Sequence, residues 1–160
     1  MATYFKTMDS PIGVLKLSSD EQYLKSISFD AEYLESESFI PDVLAFAQKQ
    51  LEAYFSGRLI QFNLPIDPEG TAFQRSVWEK VMKVEYGRTK SYVEIARAIG
   101  SEDSSRAVGM ANGRNPVPII IPCHRIIGHN GKLTGYAGGL ERKKWLLLHE
   151  RKYAGNNELF

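Results

Sequence analysis

Asn115-Pro116-Val117-Pro118-Ile119-Ile120-Ile121-Pro122-Cys123-His124-Arg125 is the stretch on which the fold and the chemistry of this chain turn. Its prolines remove backbone donors and restrict the residues before them, so the chain beyond Asn115 is not helical. Cys123 is the only cysteine among the 160 residues. The thiolate is the reactive form of cysteine, and neighbouring cations lower its pKa from about 8.5. His124 and Arg125 follow Cys123 at once and can both carry positive charge. A free cysteine also serves as a small buried hydrophobe, and the local residues leave both readings open. One cysteine excludes an internal disulfide and a cysteine-rich zinc site. It points to a reducing intracellular compartment.

Downstream, residues 125–133 read as a hairpin around the turn Asn130-Gly131. Beside short helices it would form the wing of a winged helix. Gly135, Gly138 and Gly139 then make a flexible loop before a last helix from Leu140 to about Lys152. Upstream, Thr71-Ala72-Phe73-Gln74 and Ser91-Tyr92-Val93-Glu94 are both capping boxes, each opening a helix. Phe73, Val77, Val81 and Val84 follow the first at helical spacing until Gly87. Ile95, Ala96 and Ile99 turn inward after the second, which Gly100 stops. After the polar link Ser101-Glu102-Asp103, a third helix runs from about Ser104 through Arg106, Val108 and Ala111. Two short helices joined by a glycine turn match a helix-turn-helix.

The N-terminal third reads as strands. Val14-Leu15-Lys16-Leu17 and the alternating run Tyr23–Phe29 flank a polar turn at residues 18–21. Pro41 in a first turn opens a helix with Leu44, Ala47, Leu51, Tyr54 and Phe55 on one face, and Gly57 closes it. Phe62-Asn63-Leu64-Pro65 reads as a short extended segment. Residues 65–70 have linker composition, which divides the chain into an N-terminal α/β scaffold domain, residues 1–70, and a second domain, residues 71–160.

Charge divides at the same place. Residues 1–70 carry 5 Lys/Arg against 11 Asp/Glu, a balance of −6, and residues 71–160 carry 15 against 8, a balance of +7. The basic half suits a polyanion, although oppositely charged lobes would also attract each other. With 43% hydrophobic and 24% charged residues the chain is of ordinary globular composition. No apolar run approaches the roughly 18 residues of a membrane span, and the N-terminus has no signal-peptide pattern.

The stretch 115–125, with Ser104-Ser105-Arg106-Ala107-Val108-Gly109 before it, closely resembles the O6-alkylguanine-DNA alkyltransferases. So do Gly135-Tyr136-Ala137-Gly138-Gly139-Leu140 and Trp145-Leu146-Leu147-Leu148-His149-Glu150 after it. The resemblance covers residues 71–160 in order and spacing and is weak over residues 1–70. It implies an α+β fold, with a small ribonuclease H-like N-terminal domain of sheet and helix. A helical, winged helix-turn-helix domain that binds DNA and carries the chemistry would follow. The implied reaction is direct, stoichiometric reversal of alkylation damage. A thiolate takes the alkyl group from guanine O6, with O4-alkylthymine left open as a second donor, and keeps it as a thioether. The protein is then spent after one turnover, in the cytoplasm, or in the nucleus of a eukaryote. No cofactor or metal takes part.

Carried over residue by residue, the resemblance implies that Cys123 is the acceptor. His124 acts through a water, Glu150 orders the imidazole and Tyr92 donates to guanine N3. Taken alone, Glu150 reads as the solvated end of a helix and Tyr92 as a core residue. Tyr136, Ala137, Ile126 and Lys143 surround the base, and Asn115 ties the recognition helix to an active-site strand. Ala137 stands where many members have serine, so only its backbone N–H is retained as a donor. A base inside a duplex must be flipped out before its O6 is reachable. Arg106 would fill the vacated space, while Ser105, Ala107, Gly109 and Arg114 contact DNA. The small residues Ala107 and Gly109 let the helix approach the duplex closely. Arg125 reads as structural. The partner is double-stranded DNA containing alkylated guanine, entered through the minor groove. The protein would bind it as a monomer, with cooperativity along DNA left open, and no membrane is involved. Glu85, where many members have proline, lies in a turn and should matter little. Two rival readings differ at the thiol. A damage sensor of the alkyltransferase-like type binds alkylguanine but lacks the cysteine, and a winged-helix regulator would need neither Cys123 nor the capped Tyr92.

Overall fold

The computed structural model describes residues 2–35 and 37–158, with side chains through Gly155. It divides into two compact units, Met1–Glu69 and Gly70–Phe160.

In the first unit, β1 (Tyr4–Met8), β2 (Leu15–Ser19) and β3 (Leu24–Ser28) form an antiparallel sheet in sequential order. Tyr4 faces Ser19 and Met8 faces Leu15, while Lys16 faces Ser28, with an irregularity at Ser18/Ser19. Leu15, Leu17, Leu24 and Ile27 are buried. Helix α1 (Asp42–Phe55) buries Val43, Leu44, Ala47, Leu51 and Tyr54. Pro41 is its N-cap rather than a first-turn residue, and Gly57 follows at φ +81°. Strand β1 answers to no clean alternation, since Tyr4, Phe5, Lys6 and Thr7 are all half-buried. Ser18 and Ser19, read as turn residues, belong to β2 and are buried; the turn lies at residues 20–23, where the Asp20 carboxylate accepts from Gln22 N and Tyr23 N at 2.7 Å each. Beyond α1 the extended segment contributes only one bridge, Leu24 to Ile66.

The second unit is mainly helical. Helix α2 (Ala72–Val81) carries the complete capping box, with Thr71 Oγ1 accepting from Gln74 N at 3.1 Å and Gln74 Oε1 from Thr71 N at 2.9 Å. Ser91 and Glu94 repeat the arrangement at the start of α3 (Tyr92–Ala98). A single 3-10 turn, Glu102–Ser104, leads into α4 (Ser105–Gly113). Trp78 of α2 donates its indole N–H to the Ala111 carbonyl of α4 at 2.8 Å, which satisfies a buried polar tip. The last helix, α5 (Leu140–Glu158), runs six residues beyond Lys152. Its Trp145 and His149 rings stack with centroids 4.8 Å apart, and the Tyr153 ring lies tilted against His149 at 4.9 Å.

The expected hairpin forms only its turn. Gly128 N bonds Lys132 O at 2.9 Å around Asn130-Gly131, but no second arm follows. Strand β5 (Ile126–Ile127) instead pairs in parallel with β4 (Lys90–Ser91). Thr134, which would extend the second arm, has its carbonyl taken by the Lys143 ammonium at 2.7 Å. Among the described residues no helix is long and apolar enough to cross a membrane.

Candidate active site

Cys123 opens the 3-10 turn Cys123–Arg125 and is 3% exposed. Two asparagines at the end of α4 hold this turn. Asn115 donates from Nδ2 to the Ile121 carbonyl at 2.8 Å and accepts from Val117 N at 2.9 Å. Asn112, which the motif reading passed over, donates to the Cys123 carbonyl at 3.1 Å. Ile119, between Asn115 and the turn, sits at φ +76°. That left-handed conformation costs a β-branched residue on the order of 1–3 kcal/mol. It is also why the expected active-site strand is a set of tight turns, with a single bridge from Pro118 to Ile121. The asparagine ties are present, but they reach a turn.

Behind the thiol lies a buried polar cluster. His124 Nε2 bonds Glu150 Oε2 at 2.6 Å. Arg125 grips the same carboxylate with both Nε, at 2.8 Å to Oε1, and Nη2, at 3.0 Å to Oε2. Its Nη1 donates to the Val84 carbonyl at 2.7 Å, and Gly87 N donates to Glu150 Oε1 at 3.3 Å. Gly87 has φ +75°, and a Cβ there would come 2.5 Å from the Ala154 Cβ, so glycine permits α5 to pack close enough for this bond. Glu150 is thus no solvated helix end. Arg125 is structural in a specific sense, because it anchors the carboxylate that faces His124.

Burial alone would raise the Glu150 carboxyl, but the hydrogen bonds from His124 and Arg125, together with the Arg125 charge, hold it well below the usual carboxylate range. Arg125 is the permanent cation of the cluster. Burial lowers the His124 pKa, with the Glu150 charge opposing it, so the imidazole is neutral. Because an ionised carboxylate only accepts, Nε2 must carry the proton and Nδ1 must be the basic atom. His124 Nδ1 is buried without a hydrogen-bond partner among the described residues. Burial pushes the Cys123 thiol up to about 11, against an Asn115 hydrogen bond and the Lys143 charge. The expected acidification by adjacent cations is therefore absent, since His124 is neutral and Glu150 neutralises Arg125. The resting group is a thiol that needs a base.

Lys143 is fully buried on α5. Its ammonium donates to the Ile126 carbonyl at 2.6 Å and the Thr134 carbonyl at 2.7 Å. Burial lowers its pKa to about 8. Ile126 is completely buried in β5.

A cleft of about 550 Å³ opens beside these groups, lined by Tyr92, Ser105, Arg106, Gly109, Tyr136 and Ala137, among others. Cys123, His124 and Glu150 lie outside that lining, while Thr134, whose carbonyl the buried Lys143 holds, is part of it. Gly109 faces the Tyr92 ring, which a Cβ would meet at 3.7 Å, an ordinary contact distance. Arg106 and Ala107 are exposed on α4. Ala107 and the exposed Arg114 line a separate groove of about 200 Å³ with Phe73 and Met110. Thr134, whose Oγ1 lies 2.9 Å from the Tyr92 hydroxyl, had no sequence signal. Among the described residues no group of three or more His, Cys, Asp or Glu side chains could hold a metal.

Both units of the chain resemble known proteins. Residues 72–152 match the family model of the 6-O-methylguanine DNA methyltransferase DNA binding domain, and residues 3–68 match that of the ribonuclease-like domain. A methylated-DNA–protein-cysteine methyltransferase of Methanosarcina acetivorans is 48% identical over 92% of this chain and 97% of its own. That of Mycolicibacterium paratuberculosis is 46% identical over 94% of this chain and 93% of its own. The crystal structure of Mycobacterium tuberculosis OGT in complex with DNA superposes with a TM-score of 0.85 at 44% identity, covering 93% of each chain.

Proposed function

The chain belongs to the 6-O-methylguanine DNA methyltransferase family, and on that premise we propose how its own residues carry out the transfer. The protein is a methylated-DNA–protein-cysteine methyltransferase: it binds alkylated DNA and moves the alkyl group to Cys123. The Cys123 sulfur forms a bond to the alkyl carbon as the carbon–O6 bond breaks, and the electron pair leaves with the base. Net, the thiol proton ends on the restored guanine. His124 Nδ1 receives that proton first, through one water, and the Glu150 carboxylate stabilises the imidazolium formed at the moment of attack. The buried, unpartnered Nδ1 opposite a fixed Nε2–Glu150 bond carries this reading.

The base enters the 550 Å³ cleft, with Tyr136 and the Ala137 backbone as its walls and the Tyr92 hydroxyl donating to its N3. Arg106, exposed at the cleft rim, takes the place of the flipped nucleotide in the duplex, and α4 enters the minor groove. Residues 71–160 hold the whole reaction, and residues 1–70 serve as scaffold. A persistently free thiol fits the reducing cytoplasm. The presence of Cys123 sets aside the reading as a damage sensor without transfer.

Incubation with duplex DNA containing O6-methylguanine should add the mass of one methyl group per protein, located by peptide mass spectrometry on Cys123. Unmodified protein, or a methyl group on another residue, would refute the assignment. Arg106→Ala should slow transfer from duplex DNA by at least about tenfold, because flipping costs a few kcal/mol, while leaving transfer from the free base unchanged. Equal slowing on both substrates would remove Arg106 from the flipping step.

A further inference from the structure

We propose that Thr134 is a positioning residue for the transfer, orienting the Tyr92 hydroxyl so that its hydrogen points at the base. This rests on the reading of Tyr92 as donor to guanine N3. A phenol has one hydrogen, and if Tyr92 spends it on Thr134 none remains for the leaving base. The Tyr92 oxygen and Thr134 Oγ1 lie 2.9 Å apart, and either can be the donor. A threonine hydroxyl supplies both a hydrogen and lone pairs. With Thr134 donating to the Tyr92 oxygen, the tyrosine hydrogen is released toward the cleft. A hydroxyl that accepts one hydrogen bond also becomes a stronger donor for the next, by roughly 10–30%.

The surroundings fix Thr134 for this task. Its carbonyl accepts from the buried Lys143 ammonium at 2.7 Å, and that ammonium also holds the Ile126 carbonyl at 2.6 Å. Ile126 of β5 pairs with Lys90 of β4, and Tyr92 begins α3 directly after that strand. The chain of contacts therefore closes on itself, from Tyr92 through Thr134, Lys143 and Ile126 back to the residues just before Tyr92. Branching at Cβ restricts the threonine rotamer further. Both Thr134 and Tyr92 line the cleft, so the bond sits where the base would enter. Since Lys143 holds the backbone carbonyl, Thr134→Val deletes the hydroxyl while sparing the clamp.

The test is single-turnover transfer from O6-methylguanine duplex at saturating protein, alongside the dissociation constant for that duplex and the melting temperature. Thr134→Val should slow transfer about five- to tenfold, the worth of one neutral hydrogen bond, with affinity unchanged and the melting temperature lowered by no more than the few degrees that one such bond is worth. Thr134→Ser should stay within about twofold of the parent, because it keeps the hydroxyl. In a Tyr92→Phe background Thr134→Val should have no further effect, since the two act as one unit. A full-rate Thr134→Val beside a slow Tyr92→Phe overturns the positioning role and leaves the Tyr92 reading standing. A full-rate Tyr92→Phe overturns both. Thr134→Ser as slow as Thr134→Val, or equal slowing by Thr134→Val with and without the tyrosine hydroxyl, also overturns the proposal.

Discussion

Glu150→Gln is expected to lower the unfolding free energy by about 3–5 kcal/mol, the cost of leaving a buried charge without its partner. The carboxylate accepts from His124, from two nitrogens of Arg125 and from Gly87 N, all at a site 1% exposed. Arg125 cannot shed its proton, so the amide would leave a 7% exposed guanidinium bonded to the Val84 carbonyl and stacked 5.6 Å from the Tyr86 ring centroid. Urea denaturation of parent and variant measures the difference. Its pH dependence follows from the sign of the Glu150 shift. The folded carboxyl is held below its ordinary value of 4.5, so the unfolded chain binds more protons in the acidic range. The stabilisation is complete above that value and is lost as pH falls below it. The gap between parent and variant should therefore narrow from neutral pH toward about pH 3. An equal gap at both would show that the carboxylate charge is not what the variant loses. Arg125→Met in the Glu150→Gln background should recover part of the loss, since removing both charges relieves the unpaired one. Transfer should slow in Glu150→Gln even where the variant is folded, because the amide stabilises an imidazolium poorly and leaves the His124 tautomer unfixed.

The features visible in the sequence were those encoded within four residues or by a repeating face. Thr71 with Gln74 and Ser91 with Glu94 announce two helix starts, and both capping boxes are formed in full. Leu44, Ala47 and Leu51 mark the buried face of α1, and Gly57 its end. Features without a local signal depend on distant partners. Strands β4 and β5 contribute two residues each and pair in parallel across 36 positions, which leaves no local pattern to read. The hairpin failed for the same reason: the edge of Ile126-Ile127 goes to β4, and Lys143, nine residues beyond Thr134, captures the carbonyl that a second arm would need.

The site divides in the same way. Cys123, His124 and Glu150 were identified through resemblance, and their spatial meeting could not have come from spacing alone. Arg125 and Thr134 show how much lay hidden. Arg125 stands beside His124 in sequence, yet its importance comes from sharing a carboxylate on α5, 25 residues away. Thr134 meets Tyr92 across 42 residues. The adjacent charges even suggested the wrong electrostatics for the thiol. In the fold, desolvation dominates, and the cations beside Cys123 are either neutral or already neutralised.

Cys123→Ala should abolish alkyl transfer while leaving affinity for O6-methylguanine duplex within about threefold, because Cys123 contributes the bond-forming atom and is not part of the cleft lining. The fold should tolerate the change. The thiol is 3% exposed and small, and the turn that carries it is held through backbone groups by Asn112 and Asn115. Loss of a buried atom of that size costs on the order of 1 kcal/mol, well below the expected penalty at Glu150. Cys123→Ser sharpens the comparison. Serine keeps the volume and can keep the hydrogen bond, but its oxygen is a poor nucleophile at its ordinary pKa and gains little from a neutral imidazole acting through water. Both variants should therefore bind damaged duplex and fail to transfer, as read by gel shift and by mass after prolonged incubation. Loss of binding in both would make the thiol a structural element of the cleft. Measurable transfer by Cys123→Ser would mean that His124 and Glu150 supply far more activation than a neutral imidazole acting through water provides.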